Sequence, residues 1–363
     1  MSLRKVIKSI EVYQESFFPD LTSKFPSTRY QGSKAKIIDW IWEQIGHLEF
    51  NTCLDAFGGT GSVAYRLKQE NKHVTYNDIL KFNHLFGLAL IENKQTILTG
   101  EDVNFILRKN TEIEYPSIVY DNFSGIYFTD EENKWIDQVI TNIGLLKDKY
   151  KFALAFFALC QACIIKRPYN LFHRKNLYIR FADVERSFGN KTSWDRSFSE
   201  WFRIFAEEAN CAVFDNGKNN ISLNINSQEI NERYDLVYID PPYISNSGSA
   251  VDYRGFYHFL EGLSMYNDWI PNIDLKSKHR RLIPVPNDWS DKKKIHTAFD
   301  DLFNKFKDSI IVVSYRSDGI PSVNELIELL KKYKKEVEVK LFGNYKYALS
   351  INSKSEEIIF IAK

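Results

Sequence analysis

The chain has 363 residues, 44% hydrophobic and 15% aromatic, with a formal net charge of +1. That composition excludes a disordered polymer, and the length exceeds what one compact core usually holds, so two lobes are expected. No apolar run reaches membrane-spanning length, and Met1-Ser2-Leu3-Arg4-Lys5 is not followed by an apolar signal core. A cytoplasmic location without a membrane partner is therefore expected.

Residues 1–28 hold an amphipathic start and a loop ending at Pro26-Ser27-Thr28. Arg29-Tyr30-Gln31-Gly32-Ser33-Lys34 comes next. Ser33 is placed to cap a helix over 34–45, whose Ile37, Ile38, Ile41, Trp42 and Ile45 share one apolar face. Thr52-Cys53-Leu54-Asp55-Ala56-Phe57 reads as a short apolar strand, Gly58-Gly59-Thr60-Gly61 as a turn, and 62–67 as a helix start. Strand, glycine turn and helix together offer backbone N–H groups to a ligand at a helix N-terminus, with no Cβ in the way. The spacing is not G-x-G-x-x-G and lacks a Gly-Lys-Ser/Thr ending, which disfavours a dinucleotide or ATP.

His73-Val74-Thr75-Tyr76-Asn77-Asp78 is a second strand ending in an acid. An acid about twenty residues beyond such a turn can hold ribose hydroxyls. Asp55 ends the first strand, where it can meet a ligand ammonium. Two acids without a phosphate-gripping lysine suit a cationic, ribose-bearing ligand such as S-adenosylmethionine. Each acid could instead be an ordinary cap or turn residue.

Residues 86–206 are mostly helical in pattern and form a large insertion between neighbouring strands. Charge is unevenly spread. Positions 92–137 carry ten Asp/Glu against four Lys/Arg, and 147–191 carry ten Lys/Arg against three Asp/Glu. A second basic run, 276–294, has seven Lys/Arg and two Asp. Basic surface attracts phosphate whatever the base sequence. In the first run Lys166, Arg167, Tyr169, Asn170, His173, Arg174 and Lys175 combine charge with groups that read base edges, so duplex DNA is the expected partner. Arg29 is counted with them. Cys160 and Cys163 form a C-x-x-C inside an apolar helical run, and structural thiols are expected there instead of a redox or zinc site.

Ala212-Val213-Phe214-Asp215 reads as the sheet resuming, with Asp215 placed by position near the ligand's adenine ring. Tyr234-Asp235-Leu236-Val237-Tyr238-Ile239 is a buried strand, and Asp240-Pro241-Pro242-Tyr243 follows it directly. The prolines stiffen the backbone and remove donors. Asp240 and the Pro241 carbonyl can then accept both hydrogens of one exocyclic amine while Tyr243 stacks on the ring that carries it. That chemistry suits a base lifted out of a duplex. Further strands are expected at 309–315, 336–342 and 357–361, with a helix opened by the capping box Ser322-Val323-Asn324-Glu325. Asn344, Tyr345 and Tyr347 lie between the last two strands, where they face DNA or form a hairpin tip.

These motifs, in this order, resemble the Dam-like (alpha-group) DNA N6-adenine methyltransferases of restriction-modification type, over most of the chain. Residues 29–34 are similar to the family's N-terminal cofactor motif, with Ser33 in place of its second glycine. Residues 55–61 resemble the cofactor loop, with Gly59 where Ala or Ser is common. Asn77-Asp78-Ile79 resembles the ribose-binding segment, and residues 240–243 the catalytic motif. Tyr253-Arg254-Gly255-Phe256-Tyr257-His258-Phe259-Leu260-Glu261 resembles a segment of members tied to restriction systems. Ser314-Tyr315-Arg316-Ser317-Asp318-Gly319 resembles a motif that helps wall the base pocket.

The resemblance implies an α/β Rossmann-like S-adenosylmethionine-dependent fold with helices on both sheet faces. Residues 1–85 and 207–363 would form the catalytic domain, and 86–206 an inserted, mainly helical target-recognition domain. Tyr30, Lys34, Asp55, Phe57, Gly58, Gly59, Gly61, Asp78 and Asp215 would serve the cofactor. Asp240, Pro241, Pro242 and Tyr243 would carry catalysis, with Ser314 and Tyr315 at the base. Direct transfer from a sulfonium needs no metal. A cognate restriction endonuclease is an implied partner. Methylation of cytosine N4 or of RNA adenine remains open at this point, as does a non-catalytic DNA-binding subunit.

Overall fold

Residues 236–239 and 310–316 are apolar runs bounded by polar residues, and both are buried on the two faces of a sheet, as continuous apolar strands of parallel sheets are. The computed structural model describes residues 23–182, 191–246, 248, 250–343 and 356–363. Its strands are β1 (Thr52–Asp55), β2 (His73–Asn77), β3 (Ile221–Leu223), β4 (Leu236–Ile239), β5 (Ile244–Ser245), β6 (Ile310–Arg316), β7 (Gly319–Ile320), β8 (Val337–Phe342) and β9 (Glu357–Ala362). Seven make one sheet in the order β3-β2-β1-β4-β6-β9-β8, and β5 pairs with β7. The first five in that order run parallel, whereas β9 is antiparallel to both β6 and β8. Strand order reverses direction between β1 and β4, and at such a switch point the loops part to leave a crevice.

Helices cover both faces. One core joins helices 295–305 and 323–331 to Leu54, Val237 and Ile311. The other joins the inserted helices to Val74, Tyr76 and Leu236, so the insertion shares its core with the sheet. Helix Lys149–Ile165 is buried from Ala153 to Ile165, with Cys160 and Cys163 inside it. It needs no polar face because neighbours surround it; Phe157 meets Phe86 edge-on at 4.9 Å. Among the described residues no helix is long and apolar enough to cross a membrane.

The amphipathic start expected within 1–28 lies, up to residue 22, outside the described residues. The helix expected over 34–45 is a 3-10 turn Lys34–Lys36 followed by an α-helix Ile38–Ile45, and one expected strand is displaced. Residues 212–215 are not a strand. Helix Phe198–Ala212, opened by a Ser197/Glu200 capping box, takes Ala212 as its last residue, and 213–215 are loop. Asp215 then accepts a hydrogen bond from Gly217 N at 2.8 Å and makes a turn. The third strand comes later, at β3. Asp215 therefore stands before β3, at the sheet edge opposite the crevice, and its assignment to the cofactor is corrected. Asn344, Tyr345 and Tyr347 lie outside the described residues.

A second correction concerns Lys166 and Arg167, which are buried. Lys166 donates to the carbonyls of Trp194 and Arg196, both at 2.7 Å, and pairs with Glu132 at 2.9 Å. Arg167 donates to the carbonyls of Leu171 at 3.2 Å and Arg174 at 3.0 Å, and to Asn176 Oδ1. They brace the loop from within and do not offer charge to a phosphate. Replacing Arg167 by Ala strands those acceptors. We expect Arg167→Ala to lower unfolding free energy in urea by roughly 2–4 kcal/mol. The slope of DNA affinity against salt concentration should stay the same; a slope reduced by about one would restore Arg167 as a phosphate contact.

Candidate active site

The carboxyl ends of β1, β2 and β4 open onto a cavity of about 570 Å³, a size that suits a cofactor or nucleoside. The turn after β1 is shaped by two glycines. A Cβ on Gly58 would lie 2.0 Å from the Tyr76 ring, and Gly61 takes φ +82° where helix Ser62–Gln69 begins. Asp78 fastens this turn to β2: its Oδ2 accepts from Gly59 N at 2.9 Å and from Asn83 Nδ2 at 3.1 Å. Its Oδ1 accepts from Leu80 N at 2.8 Å. Phe57 is packed edge-on against Trp289, 4.8 Å away. Tyr30 lies in a stack with Tyr257 at 4.3 Å and Tyr253 at 5.7 Å. Phe57, Gly58, Gly59, Asp55, Asp78, Tyr30 and Lys34 all line the cavity.

Asp240 and Pro242 reach the same cavity from the end of β4. Lys34 Nζ lies 3.2 Å from Asp240 Oδ1 and 2.8 Å from Glu357 Oε1, and donates to the Tyr243 hydroxyl at 2.7 Å. The Tyr243 hydroxyl donates to Asp240 Oδ1 at 2.6 Å. Ser314 Oγ donates to Glu357 Oε1 at 2.5 Å. Glu357 arrives because β9 runs antiparallel to β6, which brings its first residue opposite Arg316 at the carboxyl edge.

This geometry corrects two expectations. Tyr243 is 5% exposed, and its hydroxyl is drawn inward by charged partners, so its ring does not wall the cavity. Ser314 and Tyr315 are buried behind the motif; Tyr315 meets the Tyr243 ring edge-on at 5.3 Å, and neither residue lines the cavity. The expected DNA contacts split in the same way. Tyr169, Arg174, Lys175 and Arg29 are exposed, Asn170 and His173 half-buried. Tyr169 and Asn170 both take left-handed backbone, φ +67° and +58°.

Five buried polar atoms of cavity-lining residues have no hydrogen-bond partner among the described residues: Asp55 Oδ1, Asn83 Oδ1, Ser227 Oγ, the Tyr238 hydroxyl and Arg254 Nε. Buried polar atoms are rarely left so unless something else meets them. Asn83, Ser227 and Glu357 were not singled out from the sequence. Glu357 did leave a signal, since one acid heads the otherwise apolar run 357–362, and a buried carboxylate needs a cation.

Residues 30–329 match the family described as D12 class N6 adenine-specific DNA methyltransferase. The chain belongs to that family. It is a methyltransferase acting on adenine N6 in DNA. The type II methyltransferase M2.HphI of Haemophilus parahaemolyticus is 32% identical over 324 residues, covering 87% of this chain and 90% of its own length. M.NlaIII of Neisseria lactamica is 25% identical, over 84% of this chain and 88% of its own. M.FokI of Planomicrobium okeanokoites is 25% identical over 84% of this chain, which spans 47% of that longer protein.

In this methyltransferase burial raises the acids of the cavity. Asp55 is pushed up to about 8, chiefly by desolvation and then by the nearby Asp240. Asp78 rises to about 6 for the first of these reasons. Asp240 also rises to about 6; burial lifts it most, Lys34 pulls it back and Glu357 pushes it up. A carboxyl whose folded value exceeds its unfolded value holds a proton that the unfolded chain has released. Stability from Asp55 therefore falls as pH rises from about 4 to about 8. We expect Asp55→Asn to stabilise the ligand-free protein at pH 8 by about 1 kcal/mol or more relative to its effect at pH 5. Urea midpoints at both pH values check this, and an equal effect at the two would show that Asp55 is already ionised.

Proposed function

We propose that the chain transfers a methyl group from S-adenosylmethionine to N6 of an adenine rotated out of duplex DNA, as the modification member of a type II restriction-modification system with a cognate endonuclease. The observation that carries this reading is Asp240 at the cavity, its Oδ1 held by Lys34 and Tyr243. Oδ2, which carries neither bond, and the Pro241 carbonyl are then available to the two hydrogens of one amine. The relatives named type II methyltransferases support the system.

The cavity fits the cofactor in chemical type. The partnerless oxygen of Asp55 suits an ammonium. Asp78 has acceptor capacity left on Oδ1 for a ribose hydroxyl, and Asn83 and Ser227 add an acceptor and a hydroxyl. Phe57, Tyr30 and the turn 58–61 supply aromatic and backbone surface. When bound, S-adenosylmethionine supplies a methyl group on a positively charged sulfur.

The protein's own work is positioning and electrostatics. Unstacking one base costs on the order of a few kcal/mol. Exposed Tyr169, Arg174 and Lys175, with Asn170 and His173, on a target-recognition insertion at 86–206, and exposed Arg29 on a catalytic domain of 1–85 and 207–363, are the proposed contacts that offset it. Asp240 and the Pro241 carbonyl orient the amine so that its lone pair faces the methyl. The amine turns acidic only as the new N–C bond forms and the S–CH3 bond breaks, its electron pair leaving on sulfur as a neutral thioether; the Asp240 carboxylate stabilises the positive nitrogen and accepts its proton. Tyr243 and Lys34 hold that carboxylate in place.

Purified protein incubated with labelled S-adenosylmethionine and unmethylated bacterial DNA should yield N6-methyladenine in the digested product, read by mass spectrometry. Bound cofactor without any labelled adenine would sink the reading. Asp240→Ala should cut turnover by about a hundredfold or more while DNA affinity stays within about twofold of wild type. The active form of Asp240 is the carboxylate, so single-turnover rate should rise with pH through about 6 and level off above it. A rate flat from pH 5 to 8 would contradict that role.

A further inference from the structure

One surface at the mouth of the cavity is not used by the chemistry above. Residues 283–288, Ile-Pro-Val-Pro-Asn-Asp, are six consecutive exposed positions between buried Leu282 and buried Trp289. Ile283 is 49% and Val285 61% exposed. Both ends of the segment are fixed. Leu282 forms an antiparallel bridge with Ile273, and Ile283 N donates to Asn272 O at 2.8 Å. Trp289 is wedged edge-on between Phe57 at 4.8 Å and Phe299 at 5.1 Å, and Asn287 Oδ1 accepts from its backbone N at 3.0 Å. Pro284 and Pro286 restrict the backbone between these anchors. Ile283 to Pro286 thus form a stiff apolar projection, and Pro284 to Asp288, beside Ile283, line the same cavity as Asp240.

Its flanks are basic. Exposed Lys276 and Lys278 with Arg280 and Arg281 precede it, and exposed Lys292, Lys293 and Lys294 follow. Arg281 pairs with Asp274 at 3.3 Å and Lys294 with Asp288 at 2.8 Å, so Lys276 and Lys278 on one shoulder and Lys292 and Lys293 on the other are the charges that fit two phosphate tracks. The apolar tip between them fits neither phosphate nor water, but it does fit the stacked interior of a duplex, where apolar side chains enter an opened base step. We propose that Ile283 and Val285 form a wedge that enters the DNA beside the target adenine and holds the gap open while that base occupies the cavity. This rests on the base-flipping reading above. The wedge stabilises the extruded state by filling the space the adenine leaves, so it matters only where a base pair has to be opened.

The test starts from the methylated site read by sequencing wild-type product. Ile283→Ser with Val285→Ser alters two exposed positions. On the fully paired site kcat/KM should fall about tenfold or more, in keeping with an unstacking cost of a few kcal/mol. With an abasic position opposite the target adenine, the same variant should come within about twofold of wild type, because such a base is already loosened. Ile283→Leu with Val285→Ile, which keeps apolar bulk, should restore turnover on paired DNA. Equal losses on paired and abasic substrates would overturn the wedge, as would no loss on either. A matching loss of S-adenosylmethionine affinity by calorimetry would overturn it too, showing that the loop covers the cofactor. Wild-type protein that makes no N6-methyladenine would instead defeat the flipping reading itself.

Discussion

The site depends on one buried ammonium. Lys34 is 3% exposed, and a charge taken out of water costs several kcal/mol unless partners surround it. Its partners come from distant parts of the chain: Asp240 after β4, Tyr243 three residues on, and Glu357 at the head of β9. Satisfying that cation draws the N-terminal motif, the parallel half of the sheet and its antiparallel half to one point. The position of Asp240 at the cavity then follows from packing and charge together.

Two carboxylates share this cation, so the cluster carries excess negative charge when both are ionised. Asp240 is the member that reaches the cavity, and burial and then Glu357 push its carboxyl upward against the pull of Lys34. Asp55 lies across the β1–β4 contact and shares the same negative field. A cationic ligand between Asp55 and Asp240 would relieve that repulsion. Negative charge on both sides of the cavity therefore has the sign that favours a cationic ligand.

Much of this was legible from short stretches. The glycine turn between β1 and helix 62–69, the acid ending the β2 segment and the Asp-Pro-Pro-Tyr after β4 are local patterns, and their local geometry decides their place. Direction of burial was less accessible. Lys166 and Arg167 look like phosphate contacts in a basic run, yet the carbonyls of a tight loop claimed them. Tyr243 looks like a stacking platform, but its hydroxyl lies within reach of Lys34 and Asp240. Glu357 owes its role to an antiparallel register that no local pattern encodes. β3 was misplaced because it is three residues long, with Ile221 and Leu223 incompletely buried, too short for alternation to mark it.

The antiparallel placement of β9 also orders events during synthesis. Residue 357 is translated after every other member of the Lys34 cluster. The glycine turn, the Asp-Pro-Pro-Tyr segment and the Pro-stiffened loop all precede it in the chain, and Lys34 lacks one of its two counter-ions until residue 357 is added. The sheet is sealed on the β6 side only when β9 slides in beside it. Of the residues around Lys34, Glu357 is therefore the last to be made, and a chain interrupted before that strand would leave Lys34 with Asp240 alone of its two carboxylates.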